Sequence, residues 1–312
     1  MKKTITVITG PTASGKSAIA MLLAEKLSGQ IVCMDSMQIY RRMDIGTAKP
    51  TLQDRIKIPH YMLDIADPCE DYSAARYREE CYPLLSTLSC PILTGGTGLY
   101  LNAVSRNMDF GQAKSDEKVR QKYQDLLEKI GREELHNMLR GIDPEAAEKL
   151  HVNDTRRVIR ALEVYEITGV PFSRQKPMDD LSSLPFDFRI YAPLVERSLL
   201  YLMIDRRVDQ MMRSGLMDEV EQLYKSGVPA SAQAIQGIGY KELYAVLSGE
   251  ASLSSAVDLI KQRTRNYAKR QMTWFRRDDR VVFLDTAGQS SEQMADRILN
   301  DILNESSKEK EK

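Results

Sequence analysis

Histidine and cysteine are scarce: three His and four Cys in 312 residues, with no ligand pattern among them. His60, His136 and His151 are scattered, and Cys33, Cys69, Cys81 and Cys90 show no CxxC or Cys/His spacing. A zinc site of the usual kinds is therefore excluded, and the histidines read as structural. Cys33 lies in an apolar run and is expected to be buried, and all four thiols are expected to stay reduced. No stretch of about 18 apolar residues occurs, so no membrane partner is expected. Met1-Lys2-Lys3 leads directly into a strand-like run without a signal core or cleavage site, which points to a cytoplasmic location. Coiled-coil heptads, an apolar seam and internal repeats are also missing, and a monomer is expected.

Charge of either sign is not in excess. Lys plus Arg and Asp plus Glu are 44 each, so the average suggests no nucleic-acid partner. The distribution does. Arg156, Arg157 and Arg160 form one basic patch, and Lys261, Arg263, Arg265, Lys269, Arg270, Arg276, Arg277 and Arg280 a second. Hydrophobic residues, at 42%, suffice for a substantial core.

Thr4 to Thr9 is a β-branched run that ends in glycine, and Ser17 to Leu27 carries apolar residues at helical spacing. Further strand-like runs are Ile31 to Met34, Tyr61 to Ile65 and Ile92 to Thr94, with a helix over Ser73 to Leu88. This alternation predicts an α/β fold, a P-loop NTPase-like parallel sheet flanked by helices. Ligands of such sheets sit beyond the carboxyl ends of the strands, where Gly10, Asp35 and Gly95-Gly96 would converge. From Ser115 the pattern becomes helical only, with breaks expected at Gly131, Gly141 and Asp143-Pro144. The expected organisation is a first core segment, 1–114, an all-helical insertion, 115–180, a second core segment, 181–304, and a charged, frayed tail, 305–312. Lys176 to Pro185 reads as an exposed connector into a strand over Phe188 to Val195. Helices follow at Ser198 to Ser214, Leu216 to Tyr224 and Leu253 to Phe275, with a last strand at Val281 to Leu284.

The segment Gly10-Pro11-Thr12-Ala13-Ser14-Gly15-Lys16-Ser17 fits GxxxxGK followed by Ser or Thr at every fixed position, between a strand and a helix. Glycines let backbone amides turn inward, the helix N-terminus adds partial positive charge, and Lys16 reaches phosphate oxygens. Ser17 is the expected ligand of Mg²⁺. An ordinary glycine turn would not demand Lys and Ser at these positions. The loop alone does not separate ATP- and other nucleotide-binding proteins, kinases and diphosphate-using transferases. Asp35 follows the second strand, where it is a candidate metal ligand, base or turn cap.

GPTASGKS from Gly10, DSMQIYRRMDIGTAKP from Asp35 and GGTGLY from Gly95 are followed by NDTRRVIRALEVYEITG from Asn153, QGIGYKE from Gln236 and RNYAKRQMTWFRR from Arg265. In this order and spacing they resemble the motifs of the tRNA dimethylallyltransferases, also called tRNA isopentenyltransferases, over nearly the whole chain. The resemblance implies transfer of a dimethylallyl group from dimethylallyl diphosphate to the exocyclic N6 amine of the adenosine 3′ to the anticodon, with a tRNA anticodon stem-loop as partner and Mg²⁺ as cofactor. It also implies that the loop cradles diphosphate, that Asp35 accepts the proton, and that Thr12 and Arg207 are catalytic. Arg206 adjoins Arg207, and an arginine in a charged helix otherwise reads as a solvated face.

For the RNA, the resemblance implies contacts from Asp35, Ser36, Met37 and Gln38 around an extracted base. Thr97, Arg120 and the segment Arg156-Arg157-Val158-Ile159-Arg160 are further implied contacts. The family commonly has glutamine where Arg156 stands. Without the family, these arginines and the Lys261 to Arg280 run read as solvated basic faces. Trp274 and Phe275 read as core rather than stacking platforms. Met203, Met211, Met212 and Met217 read as core or as lining near an isoprenoid chain. The alternatives are a P-loop nucleotide kinase with a helical lid and a non-enzymatic RNA-binding module.

Overall fold

The structure, a computed structural model, describes residues 2–106, 116–174 and 181–310, with the side chains of residues 182 and 305–310 outside the description. Residue 115, where the helical insertion was expected to begin, residues 176–180 of the expected connector and the last two residues of the tail lie outside the described residues. The chain divides into two compact units, Met1–Ser105 with Leu184–Lys312, and Arg106–Ser183.

The larger unit begins with β1 (Lys3–Thr9), α1 (Lys16–Leu27), β2 (Gln30–Cys33), α2 (Leu52–Lys57), β3 (His60–Tyr61), α3 (Ala74–Thr87), β4 (Pro91–Gly95) and α4 (Gly98–Ser105). The helical unit holds α5 (Glu117–Ile142), α6 (Pro144–Lys149) and α7 (Thr155–Thr168). The larger unit resumes with β5 (Phe186–Leu194), α8 (Arg197–Arg213), α9 (Leu216–Lys225), α10 (Tyr240–Leu247), α11 (Leu253–Phe275), β6 (Val281–Asp285) and α12 (Ser291–Lys310). Among the described residues six strands form one parallel sheet, in the order β3-β2-β4-β1-β5-β6. Helices α1 and α12 cover one region of the sheet: Ile19, Leu23, Met294 and Ile298 pack with Ile8, Ile31, Ile92 and Leu284. The tail expected to fray from Glu305 is instead helical in its backbone through Lys310, as the end of α12.

Register brings three strand ends to one level. Thr9 pairs with Gly95 and Cys33 with Thr94, so the chain leaves β1, β2 and β4 along the same edge. The close approach requires glycine: a Cβ on Gly95 would lie 1.9 Å from the Met34 carbonyl oxygen.

The helical unit has its own core of Tyr123, Leu135, Leu139, Val158, Ile159 and Leu162. Gly131, at φ 77°, interrupts α5 as its left-handed conformation requires, but Gly141 does not break the helix. Asp143 separates α5 from α6: its backbone N–H donates to the Leu139 carbonyl while its side chain accepts from the Ala146 amide.

Candidate active site

Beyond β1 the backbone passes through positive φ at Gly10 (141°), Ala13 (62°) and Gly15 (86°), which curls the loop into a concave nest at the N-terminus of α1. The first amides of α1 have no acceptor within the helix and face the concavity with the helix dipole behind them. Lys16, the first residue of α1, reaches back with Nζ to donate to the Pro11 carbonyl at 3.2 Å. Removal from water, reinforced by the Arg207 charge, lowers its pKa to about 8. Ser14 Oγ is buried in the loop with no partner among the described residues.

The loop opens on a cavity of about 360 Å³. Its polar wall includes Thr12, Lys16, Ser17, Asp35, Gln38 and Arg207, and its apolar wall Ile204, Val208, Met211, Leu216, Ile238 and Ile260. Asp35 Oδ1 accepts from the Met37 amide at 2.9 Å, which makes it a turn cap, and the residue also lines the cavity. Ser36 and Met37 line it too, whereas Thr97 does not. Thr97 Oγ1 instead accepts from the Ser36 amide at 3.0 Å, and the Thr97 amide donates to the Met34 carbonyl, so Thr97 fixes the turn that presents Asp35. Gln38 is likewise held at both ends. Its Nε2 donates to the carbonyls of Thr47 (2.9 Å) and Ala48 (3.3 Å), and its Oε1 accepts from Cys33 Sγ.

Arg207 rather than Arg206 faces the loop: its Nη1 lies 3.5 Å from Thr12 Oγ1, while Arg206 is exposed. Burial lowers the pKa of Arg207 and the nearby Asp35 carboxylate opposes that shift. Of the four methionines, Met211 lines the cavity, and all four are half-buried rather than core.

Residues outside the expected site hold these walls in place. Gln271, buried in α11, accepts from the Thr12 amide at 2.9 Å and donates to the Gly96 carbonyl at 2.8 Å. Tyr267, one turn earlier, lines the cavity. The Glu219 carboxylate accepts from three successive amides, Asp44 (2.7 Å), Ile45 (2.7 Å) and Gly46 (3.0 Å), and from the Tyr240 hydroxyl (2.6 Å). These residues stand in ordinary helical patterns, and no spacing distinguishes them from surface glutamates and glutamines.

A model of the IPP transferase family matches residues 38–278, and one of isopentenyl transferases matches residues 3–63. The chain belongs to the IPP transferase family. A curated tRNA dimethylallyltransferase from Pelotomaculum thermopropionicum is 47% identical over 290 residues, covering 91% of each chain. Another, from Geobacter metallireducens, is 43% identical over 306 residues, covering 97% of each. Among solved structures, the full-length tRNA isopentenylpyrophosphate transferase of Bacillus halodurans has a TM-score of 0.74 at 39% identity, covering 100% of both chains. A eukaryotic dimethylallyltransferase described as acting on tRNA has a TM-score of 0.81 at 32% identity, covering 97% of this chain and 80% of that one.

For an IPP transferase, the disposition of basic residues matters, and here the sequence reading needs correction. Val158 and Ile159 are buried in the core of the helical unit and present no surface to RNA. Arg120 and Arg160 both pair with the fully buried Glu163, at 3.4 and 3.1 Å. Arg157 pairs with Asp154 at 3.3 Å, and Arg156 is exposed. On α11, Lys261, Arg263 and Arg265 pair with Asp209, Glu242 and Asp205, and beyond it Arg280 pairs with Asp278. Of the remaining cations, Lys269, Arg270 and Arg277 line a groove of about 370 Å³ with Trp274, and Arg276 is exposed. Phe275 is core as expected, but Trp274 is 36% exposed, its ring lying against Gly98. Among the described residues no helix is long and apolar enough to cross a membrane, and no His/Cys/Asp/Glu cluster could hold a metal.

Proposed function

We propose that this chain transfers the dimethylallyl group of dimethylallyl diphosphate to the N6 amine of the adenosine 3′ to the anticodon in tRNA, releasing diphosphate. The observation that carries this reading is a single cavity joining Asp35, Lys16, Thr12 and Arg207 to a wall of aliphatic side chains. The aliphatic wall suits a five-carbon prenyl group held next to the phosphate loop.

In the reaction a bond forms between N6 and the first prenyl carbon while the bond from that carbon to the diphosphate oxygen breaks. The electron pair leaves with diphosphate, and the N6 proton passes to Asp35. The amine is a weak nucleophile because its lone pair is delocalised into the ring, so both a positioned base and a stabilised leaving group are needed. The loop amides, Lys16 and Arg207 surround the site where leaving-group charge develops. Thr12, next to Arg207, is assigned to the reacting carbon and its bridging oxygen.

Ser17 has an exposed side chain on the cavity wall, and the unpartnered Ser14 hydroxyl lies in the same loop, a donor set that fits a hydrated Mg²⁺ and a diphosphate. Bound Mg²⁺ would neutralise diphosphate charge, with Ser17 as its protein ligand.

Extracting an adenine from the anticodon stack costs a few kcal/mol, which contacts to the base must offset. Asp35, Ser36, Met37 and Gln38 are assigned to the extracted base. Arg156 and Arg157, together with the groove of Lys269, Arg270, Trp274 and Arg277, are assigned to the RNA around it. We place the enzyme in the cytoplasm as a monomer.

Incubation with unmodified tRNA, Mg²⁺ and either dimethylallyl diphosphate or ATP, followed by mass spectrometry of the nucleosides, tests the proposal. The expected product is a prenylated adenosine formed only with dimethylallyl diphosphate. A mass gain only with ATP would overturn it.

A further inference from the structure

Gln271 stands where the phosphate loop, the glycine turn after β4 and α11 meet. Its side chain is 6% exposed. Its Oε1 takes the Thr12 amide 259 residues away in sequence, and its Nε2 gives to the Gly96 carbonyl. Backbone amides in such a loop ordinarily serve the bound anion. Here one of them is withdrawn from that duty and fixed by a neutral side chain from another element.

The requirement is specific. A carboxamide offers an acceptor and a donor in one plane, which matches an N–H on one side and a C=O on the other. Glutamate would turn a second oxygen toward the Gly96 carbonyl, and methionine would make neither bond. The opposite wall is fitted to the same group: a Cβ on Gly96 would lie 2.2 Å from Gln271 Nε2. Thr12 is the residue whose hydroxyl lies 3.5 Å from Arg207, so whatever fixes its amide also fixes the direction of that hydroxyl. Tyr267, one helical turn away on the same helix, lines the cavity wall.

We propose that Gln271 is a positioning residue for prenyl transfer, holding the Thr12 amide and the Gly96 carbonyl so that the Thr12 hydroxyl meets Arg207 and the reacting carbon. The inference rests on the prenyl-transfer reading, and it separates from a mere staple of the fold through its dependence on Thr12.

The test is a kinetic cycle with Gln271→Met, Thr12→Ala and the double variant, supported by calorimetric titration with inorganic diphosphate. Gln271→Met is expected to lower kcat about thirtyfold in the wild-type background and less than about threefold once Thr12 is alanine, with KM for tRNA within about twofold of wild type. Diphosphate affinity is expected to fall about tenfold, because the loop is no longer held in its binding shape. An equal loss of kcat in both backgrounds, or wild-type kcat, would overturn the proposal. If Gln271→Met does not fold, Gly96→Ala displaces the same carboxamide from the other side, and the same pattern is expected of it. A wild-type protein that binds diphosphate but prenylates no tRNA would sink the functional reading instead. The calorimetric comparison then still decides whether Gln271 shapes the loop, an unchanged affinity counting against it.

Discussion

Arg207 reaches Thr12 from a helix 195 residues further along the chain, its Nη1 standing 3.5 Å from the threonine hydroxyl. Lys16 lies close enough for the two cations to disfavour each other's charge, and Asp35 close enough to favour both. Three cations, Lys16, Arg207 and Arg270, line the cavity with one carboxylate, Asp35, which leaves it short of negative charge. A diphosphate would supply it, and the aliphatic wall beside them gives the leaving group something to leave from. Each charged group at this site can therefore be tested by what happens when its charge is removed.

Asp35 caps the turn with Oδ1 and is assigned the N6 proton, and the two duties can be separated by substitution. Asp35→Asn keeps an oxygen for the Met37 amide but has no basicity. It is expected to lower kcat by about a hundredfold or more, the usual contribution of a general base, while tRNA affinity stays near wild type. Radiolabelled transfer and filter binding measure the two quantities. Turnover within tenfold of wild type would remove Asp35 as the base.

Lys16 should show its depressed pKa in the pH dependence of anion binding. With the free-site pKa at about 8, the ammonium is charged at pH 7 and mostly neutral at pH 9. A bound diphosphate stabilises the charged form and raises the pKa, so binding takes up a proton in that range and weakens as pH rises. The affinity of wild type relative to Lys16→Met, a ratio that cancels ionisation of the ligand itself, is expected to fall about tenfold from pH 7 to pH 9. A ratio that stays flat would mean that Lys16 does not contact the anion.

The strands other than β3, the phosphate loop and Asp35 were legible because local chemistry dictates them: β-branched runs, positive-φ glycines and a carboxylate at a strand end. The strand expected over Tyr61 to Ile65 instead ends at Tyr61, where Met62 and Asp64 turn through positive φ. The long helix from Leu253 to Phe275 was read to its ends. What escaped was set by tertiary contact. Glu163 stands three residues after Arg160 and is readable as its neighbour, but nothing in the sequence says that it would also draw in Arg120, or that Trp274 would lie on Gly98 with one face open. Gly141 was read as a break because glycine is a poor helix former, but a single glycine costs only about 1 kcal/mol, which packing of α5 against α7 outweighs. Gln271 and Glu219 were invisible for a related reason, since each acts on backbone groups far away in the chain.

The α7 segment offers two substitutions with opposite signatures. Arg156 is exposed, and Arg156→Glu is expected to weaken tRNA binding and to reduce its salt dependence by about one counterion, without lowering Tm. Val158 is 1% exposed in the helical core, and Val158→Ala should cost about 1–3 kcal/mol of that unit's stability and leave the salt dependence intact. Binding isotherms over a salt series and thermal denaturation distinguish them. If Val158→Ala changed the salt slope while Arg156→Glu did not, the assignment of this face to RNA would be wrong.

Glu219 supports the last wall of the site. Its carboxylate receives the amides of Asp44, Ile45 and Gly46, and the Tyr240 hydroxyl completes the set. The residues that follow, Thr47 and Ala48, line the cavity and accept from Gln38, so the side-chain amide of Gln38, which we assign to the base, is held by a loop that Glu219 supports. The fit to Tyr240 is close, since a Cβ on Gly46 would lie 2.7 Å from that ring. Hydrogen bonds to a charged acceptor are each worth about 1.5–3 kcal/mol, reduced here by partial solvent access, so Glu219→Ala is expected to cost about 2–4 kcal/mol in total. Its distinctive effect should be on the RNA side: KM for tRNA rises at least about tenfold while inorganic diphosphate binds as in wild type, because the phosphate loop does not depend on Glu219. Glu219→Gln keeps one acceptor oxygen but turns an amide donor toward the two donors that the other carboxylate oxygen receives, and should fall between wild type and Glu219→Ala. Steady-state kinetics with calorimetry on the same variants provide the measurement. Equal losses for tRNA and diphosphate would instead mean that Glu219 supports the fold as a whole rather than the base-binding wall.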